Sequence, residues 1–498
     1  MSLLGIDVGT TGCKAVVFSE NGKILSSAYE EYSIKTPQPG YAELDAREVW
    51  SKVKRVIAKA ALEAGQDRIT ALSATSLGES MVPVTHDRKI LGNSMLFADT
   101  RGGEEMQSVS SVISDETFYQ INGNVLGVQY SLAKMLWVQK HDPELYAGTD
   151  KFLLWGSFVT FMLGGDAVVD YSLANRTLLF DINTKKWSKK IINAVGLDES
   201  KLAQVVQAGT VIGQISKEIA QELSLPQDVA IVAGGHDQCV NSLGCGVIEH
   251  GQAMYGMGTF LCAVPVFGER LESNLMMTYG LNTEDHVCSD LFVSFIFNQG
   301  GNLVKWFRDT FAASDHKIAS QQGKEVYDLL FAEMPDAAVD VSVLPYFTGT
   351  GPPKFYTDTF GQISGLKLST TRGEILKGIL QGATFYLAKT LDQFSKLGLN
   401  ISEYRCAGGG SRSERWVQLS ADIFDKPFLL THCEEAGALG SAIIAGTGQG
   451  VFGTLGQGVD AMVQTSKVIE PNPANTKCYL EKLEQYKQTE RLAEKYFS

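Results

Sequence analysis

A chain of 498 residues is too long for one hydrophobic core, so two domains of roughly 250 residues, or three smaller ones, are expected. Apolar residues make up 44% and charged residues 20%, with 50 Gly against 13 Pro, which suits a globular protein rich in tight turns rather than Pro-rich linkers. The net charge of −13 argues against nucleic acid or an anionic membrane as partner, since both call for a basic footprint. The eight Cys are scattered with no Cys-x-x-Cys pair, and read as reduced, mostly buried thiols of a cytoplasmic protein. The opening Met-Ser-Leu-Leu-Gly-Ile-Asp lacks a basic leader and runs straight into a strand, and no apolar stretch reaches the ~18 residues of a membrane span.

Leu3 to Phe18 reads as two strands around the turn Gly9-Thr10-Thr11-Gly12, with Asp7 near the end of the first. The turn offers backbone N–H groups and two hydroxyls that suit phosphate oxygens. Asp7 suits a hydrated Mg²⁺, a cation that keeps most of its waters. An ordinary tight hairpin with a surface Asp would look the same. Asn21-Gly22 then signals a second turn, making Ile24 to Ser33 a third, antiparallel strand. Asp45 is placed to cap a helix, with Glu48 at its third position, Val49, Val53, Val56, Ile57 and Ala60 at helical spacing, and Gly65 as terminator. Ile69 to Ala74 is the next strand, so the first part is α/β with a crossover helix. A loop carrying Glu79 follows. Met81–Thr85 and Ile90–Leu96 flank the turn His86 to Lys89, and Phe97-Ala98-Asp99-Thr100-Arg101 is a second polar loop. Ser131 to Lys140 reads as a helix capped by Ser131. The stretch 151–227 mixes short elements whose order the pattern leaves open.

Val229 to Ala233 is a buried strand running into Gly234-Gly235-His236-Asp237-Gln238, where a helix begins. Gln252 to Phe267 then repeats the logic of the opening, with Gly256-Met257-Gly258-Thr259 as its turn. The chain thus divides into two similar halves, 1–247 and 248–498, a duplication of architecture but not of sequence. The second half continues with a strand Leu291 to Phe297, Gln299-Gly300-Gly301 leading a helix through Trp306, and a Gly/Pro-rich loop Pro345 to Pro353. A long helix Glu374 to Leu397 follows, with Ile375, Ile379, Ala383, Leu387, Leu391 and Phe394 on one face, then the turn Gly408-Gly409-Gly410-Ser411 before a helix Trp416 to Ile423. A small-residue helix opens at Glu434, and a solvated surface helix is expected from Asn472 to Ser498.

Asp237 lies at a strand end and a helix start, where open α/β sheets place ligand sites and where the helix dipole favours a carboxylate. It can accept a proton from a hydroxyl, as phosphoryl transfer requires; a plain N-cap Asp would sit in the same place. Gly258-Thr259 and Gly300-Gly301 can approach phosphates closely, or can be simple turn residues. Gly408 to Ser411 can form a flat slot for adenine and ribose, or only a close strand-to-helix turn. Glu79 and Asp99, with Arg101 nearby, suit a polyol whose hydroxyls donate to carboxylates, though loop carboxylates are commonly just solvated. His236 either contacts substrate or satisfies a local backbone group. None of the seven His falls in zinc-ligand spacing, and there is no Gly-x-x-x-x-Gly-Lys-Ser/Thr phosphate loop.

These pieces together resemble the FGGY carbohydrate kinases, of the actin and chaperone-ATPase superfamily, over nearly the whole chain. Gly5-Ile6-Asp7-Val8-Gly9-Thr10-Thr11 is similar to the superfamily's first phosphate motif. Ser131-Leu132-Ala133-Lys134-Met135-Leu136-Trp137-Val138 is similar to one family signature, with Gln129 departing two places before it. Gly361-Gln362-Ile363-Ser364-Gly365-Leu366, with Glu374, Ile375 and Gln381 downstream, is similar to the other, with Gly378 where Ala or Ser is usual. The resemblance implies two actin-like, ribonuclease H-like α/β domains, each a five-stranded mixed sheet flanked by helices, closing on a cleft. It implies transfer of the ATP γ-phosphate to a sugar or polyol hydroxyl, with ATP and Mg²⁺ as the cofactors. Asp237 matches the catalytic base and, with Asp7, the Mg²⁺ carboxylates. Thr10 and Thr11 match the first phosphate loop and Gly258 and Thr259 the second, Gly301 a nucleotide contact, and Gly409, Gly410 and Ser411 the adenosine site. Glu79, Phe97, Asp99 and Gln238, with Asp237, fall at the substrate. The expected partner is a small sugar or polyol, the expected assembly a homodimer. Gly78-Glu79 resembles glycerol kinases without the Arg they carry before that Glu, the Met-His of xylulokinases is missing, and Ala98-Asp99-Thr100-Arg101 is closer to xylulo- and gluconokinases. A ketopentose such as xylulose is the leading expectation. Glycerol, another polyol or gluconate is the alternative, and a catalytically inactive sugar-binding regulator the reading from a different class.

Overall fold

The computed structural model describes residues 1–356 and 358–496. The first half opens with β1 (Ser2–Val8), β2 (Gly12–Ser19) and β3 (Ile24–Glu31), then α1 (Ala46–Glu63) and β4 (Ile69–Ser76). Further on come α2 (Ser131–His141), α3 (Tyr171–Asn175), β5 (Val211–Gln214), β6 (Ala230–His236) and α4 (Asp237–Gly244). The second half holds β7 (Gln252–Met257), β8 (Phe260–Phe267), β9 (Ile296–Gln299), α5 (Gly301–Phe311) and α6 (Arg372–Lys396). It ends with β10 (Glu403–Ala407), α7 (Glu414–Phe424), β11 (Phe428–Thr431), α8 (Ala436–Gly448), β12 (Thr465–Ile469) and α9 (Pro473–Ala493).

The first sheet runs β5-β6-β4-β1-β2-β3. β1, β2 and β3 are successively antiparallel, and β4 and β6 join β1 in parallel. The second sheet repeats this order as β9-β8-β7-β10-β11, with the same antiparallel and parallel pairings. Each five-stranded core carries one more antiparallel edge strand, β5 on β6 and β12 on β11. Two short strands, Glu284–Asp285 and Phe292–Val293, widen the second sheet to eight. The five strands expected per half are therefore the common core, and the extra strands are additions at its edges. β1, β4 and β6 are buried almost throughout, as parallel strands covered on both faces must be.

Local chemistry accounts for the framing helices. Asp45 caps α1 by accepting from the N–H groups of Arg47 and Glu48, and Val49, Val53, Val56 and Ile57 face the core. Thr371 and Glu374 form a reciprocal capping box at the head of α6. α8, made largely of Ala, Gly and Ile, is buried along nearly its whole length and lies against β1, β4 and β6 of the other half. A Cβ at Gly5 would sit 1.9 Å from the Ala438 carbonyl oxygen, so a helix of the second half touches the backbone of the first strand. A shared apolar core results, with Leu3, Val16, Phe18 and Val232 on one side and Val264, Leu439 and Ile443 on the other.

Several expectations are corrected. Ser131 does not cap α2; Tyr130 holds the N-cap position and Ser131 is the first helical residue. The turn expected over His86 to Lys89 is present, with Val84 bridging Ile90 antiparallel, but the main partner of Met81–Val84 is Lys151–Leu154, which the pattern did not show. The strand expected over 291–297 is broken into Phe292–Val293 and β9. The last helix is not simply solvated: Tyr479, Tyr486 and Glu490 are buried against α6 and its neighbours, because wide-spaced aromatic residues form a stripe inside a charged sequence. Its expected end at 497–498 lies outside the described residues. Among the described residues no helix is long and apolar enough to cross a membrane, and all eight cysteines are free thiols.

Candidate active site

β6 delivers His236 and Asp237 to the C-terminal edge of the first sheet. His236 occupies the N-cap position and makes no side-chain cap, so Asp237 is the first helical residue of α4 and its carboxyl is not spent as the cap. His236 Nε2 lies 3.2 Å from the Asp237 carboxyl. The imidazole stands edge-on to Phe295 at 5.0 Å, and the His236 N–H donates to Ser172 Oγ at 2.9 Å. Burial, reinforced by the charge of Arg176, holds His236 well below the usual imidazole range, so it faces Asp237 as a neutral ring. Burial pushes Asp237 up to about 8, and the negative charges of Asp7 and Glu79 push in the same direction. A carboxylate so reluctant to form is correspondingly basic once formed.

Asp7 stands one residue from the end of β1, half-buried, and burial raises it to about 6; Lys14 draws it down and Glu435 pushes it up. The turn beyond it is closed by the Gly9 N–H donating to the Gly12 carbonyl at 2.9 Å, with the Tyr32 hydroxyl 2.6 Å from the Gly9 carbonyl oxygen. Thr10 and Thr11 are exposed at its tip. The start of α8 abuts this site, since a Cβ at Gly437 would lie 2.8 Å from Asp7 Oδ2. Lys14 Nζ reaches Glu435 at 2.5 Å, tying the first hairpin to the second half.

Gly258 and Thr259 form the exposed turn between β7 and β8. The head of α5 docks on it: the Gly301 N–H donates to the Gly258 carbonyl at 2.9 Å and the Asn302 N–H to the Thr259 carbonyl at 3.0 Å. The turn after β10 lies alongside, for a Cβ at Gly410 would meet Met257 at 2.9 Å. Ser411 Oγ donates back to the Gly408 carbonyl at 2.7 Å, which leaves Gly409 exposed at the crest. So Gly258, Thr259, Gly301, Gly409, Gly410 and Ser411 are gathered at one edge of the second sheet. Gln238, next to Asp237, receives the Cys262 thiol of β8 at 3.5 Å, so the two sheet edges face each other.

Glu79 and Asp99 lie on loops fastened by α2. Ser131 Oγ donates to the Glu79 carbonyl at 2.6 Å, while Lys134 Nζ donates to the carbonyls of Asp99 and Arg101. Asp99 is fully buried, accepting from the Ala42 N–H at 2.8 Å and from Arg101 at 2.6–3.1 Å. Its carboxylate is thus saturated by protein donors, whereas Phe97, two residues earlier, is 43% exposed and meets Phe297 of the second half edge-on at 6.5 Å.

Sequence reasoning did not find Arg176, which pairs with Glu79 and with Glu284, nor the link between Lys14 and Glu435. These contacts join residues far apart in the chain and follow no periodicity. A lone buried Arg directly after a short helix is the single local hint. Among the described residues no group of three or more His, Cys, Asp or Glu forms a metal cage. A hydrated Mg²⁺ needs only one or two carboxylates beside phosphate oxygens, and a half-buried Asp7 whose carboxyl is raised by burial fits that demand.

Residues 2–244 match the N-terminal domain of the FGGY family of carbohydrate kinases and residues 278–448 match its C-terminal domain. The xylulose kinase of Bacillus subtilis is 26% identical over 488 residues, covering 97% of this chain and 96% of that protein. The gluconokinase of the same organism is 25% identical over 448 residues, covering 89% and 86%. The crystal structure of ligand-bound xylulose kinase from Lactobacillus acidophilus superposes with a TM-score of 0.88 at 21% identity, over 99% of this chain and 98% of that one, and shows the same fold. Two family domains in order on a duplicated α/β frame leave one conclusion: the chain belongs to the FGGY family of carbohydrate kinases, phosphotransferases that use ATP.

Proposed function

We propose that this protein transfers the γ-phosphoryl group of ATP to a hydroxyl of a neutral sugar, a ketopentose such as xylulose, with Asp237 as the base. The observation that carries the reading is the environment of Asp237: a half-buried carboxyl at a helix start, raised to about 8, facing a neutral His236 with Asp7 and Glu79 close enough to add their charge. Bound Mg²⁺, held by Asp7 with Asp237, would supply charge neutralisation at the phosphates. Thr10 and Thr11 from the first half and Gly258 and Thr259 from the second would offer N–H groups and hydroxyls to phosphate oxygens. Gly301, Gly409, Gly410 and Ser411 would border the nucleoside, so 248–498 holds mainly nucleotide and 1–247 mainly sugar.

On the sugar side, Glu79 and Gln238 orient hydroxyls, Phe97 covers the apolar face, and Asp99 holds the loop that presents Phe97. Asp237 accepts the proton of the attacking hydroxyl as the new O–P bond forms. Approach of the halves excludes water, the competing acceptor. The ketopentose is supported by the xylulose kinase relative that spans nearly the whole chain. The test is ATP consumption and sugar-phosphate formation across D-xylulose, xylitol, glycerol and gluconate, with wild type and Asp237→Asn. The pentulose should give the highest kcat/KM. The variant should lose about 10²–10⁴-fold in kcat while still binding ATP. Near-normal turnover by Asp237→Asn would refute the assignment, and preference for gluconate would replace the substrate.

A further inference from the structure

Two carboxylates from opposite halves grip one guanidinium beside the candidate site. Arg176 stands at the end of α3. Its Nη2 pairs with Glu79 Oε1, and its Nη1 lies 2.5 Å from Glu284 Oε1. All three side chains are buried. The guanidinium also lies over the rings of Tyr130 at 4.8 Å and Phe295 at 5.5 Å. Glu284 is itself held by Asn282 Nδ2 at 2.6 Å and sits on a strand of the second sheet, whose next residue donates its N–H to Asn175 Oδ1 at 3.1 Å. Space beside Glu79 is shaped for this arrangement. A Cβ at Gly78 would lie 2.8 Å from the His236 ring and 2.9 Å from Arg176 Cγ, so the Arg176 stem and the imidazole fill the volume a side chain at 78 would take. The cation next to Glu79 therefore comes from position 176. Arg176 Nε and Glu284 Oε2 remain buried without a hydrogen-bond partner, as expected of a polar chamber completed by something bound in it.

We propose that Arg176, anchored on its far side by Glu284, is a positioning residue: it fixes Glu79 as the hydrogen-bond acceptor for the hydroxyls of the acceptor sugar. This rests on the kinase reading above. Arg176 engages Oε1 of Glu79 and leaves Oε2 to accept from a hydroxyl, so the acceptor carboxylate is ordered before substrate arrives. Because Glu284 belongs to the second half, acceptor binding depends on the contact between halves as well as on the first half alone.

The test measures KM for D-xylulose, KM for ATP and kcat in wild type, Arg176→Lys, Arg176→Gln, Glu284→Gln, Glu79→Gln and the pair Arg176→Gln with Glu79→Gln. Glu284→Gln keeps a group able to accept from Arg176, so it serves where Arg176→Gln does not fold. The expected result is an acceptor KM raised about tenfold or more in Arg176→Lys and Arg176→Gln and less in Glu284→Gln, with the ATP KM within about twofold. In the Glu79→Gln background, Arg176→Gln should add no more than about twofold, because its effect passes through Glu79. Unchanged acceptor KM in the single variants, or full additivity in the pair, overturns the proposal and leaves the kinase reading standing. A wild-type protein that phosphorylates none of D-xylulose, xylitol, glycerol or gluconate overturns the kinase reading itself.

Discussion

Single residues explain much of what the two family-like signatures do here. Ser131 and Lys134 are loop anchors, each donating to carbonyls on the segments that carry Glu79 and Asp99. Gln381 pairs with both the N–H and the carbonyl of Val339, and Lys377 donates to the carbonyls of Pro335 and Asp336, so the second signature fixes α6 to the chain before it. His286 has a different consequence. It is buried, its Nδ1 accepts from the Cys288 N–H at 2.9 Å, its Nε2 has no partner, and burial lowers it to about 3. An unfolded chain titrates this ring near its ordinary 6.5. Between those values the unfolded state binds the extra proton, so the contribution of His286 to stability is full above about pH 6.5 and is lost as pH falls toward 3. The slope is at most about 1.4 kcal/mol per pH unit. Urea unfolding of wild type and His286→Gln at about pH 7.5 and about pH 5 checks this: wild type should lose more stability on acidification than the variant. Equal losses would mean that the ring titrates normally in the folded protein.

At the scale of elements, the β8–β9 pair turns an aromatic face toward the other half. Phe260 and Cys262 lie two apart on β8, and Phe297 stands opposite Cys262 on β9, so the three side chains share one face. Phe297 meets Phe260 at 6.2 Å and Phe97 of the first half at 6.5 Å, while Cys262 touches Gln238. With Asp237 as base, these rings would shield the reacting hydroxyl from water. Phe297→Ala should then raise acceptor-independent ATP hydrolysis several-fold relative to sugar phosphorylation, measured as ADP released with and without D-xylulose. A lower kcat with an unchanged ratio would assign the ring to packing alone. This face also marks where sequence reading stops. The turns at Gly9–Gly12 and Gly258–Thr259, the strand into Asp237 and the stripe on α6 were legible because each is encoded by neighbours: a Gly/Thr turn, an apolar run, a helical period. Even so, α6 is buried from Leu376 to Leu387 without a break, wider than its predicted stripe. β5 and β12 were not legible, being short edge strands with little apolar pattern. The cluster of Glu79, Arg176 and Glu284 was invisible because its members are 97 and 108 residues apart: the tertiary fold of the first half brings Arg176 to Glu79, and the crossing of the second sheet adds Glu284.

The molecule as a whole turns on the place where its two halves touch. α4, which begins with Asp237, packs against α8, whose first turn borders Asp7. Small residues allow this: a Cβ at Gly440 would fall 2.1 Å from the Val240 carbonyl oxygen, a distance no side chain tolerates and which rigid backbone cannot relieve by a rotamer change. The pair of helices therefore sets the spacing between Asp7 and Asp237 as well as the stability of the shared core. Gly440→Ala must force the helices apart, and overpacking of this kind costs about 1–3 kcal/mol. The same displacement moves the two carboxylates; with Asp7 and Asp237 in the roles proposed above, a shift of about 1 Å can cost about 10²-fold in rate. Gly148→Ala is the matched control, since nothing lies within 4 Å of its added Cβ, and its effect on stability should stay within about 0.5 kcal/mol. Urea midpoints and kcat for both variants decide the matter. Loss of kcat in Gly440→Ala beyond what the unfolded fraction explains supports a seam that positions the site. A variant as stable and as active as wild type would show that the seam has slack, and the spacing of the carboxylates would then have to be set elsewhere.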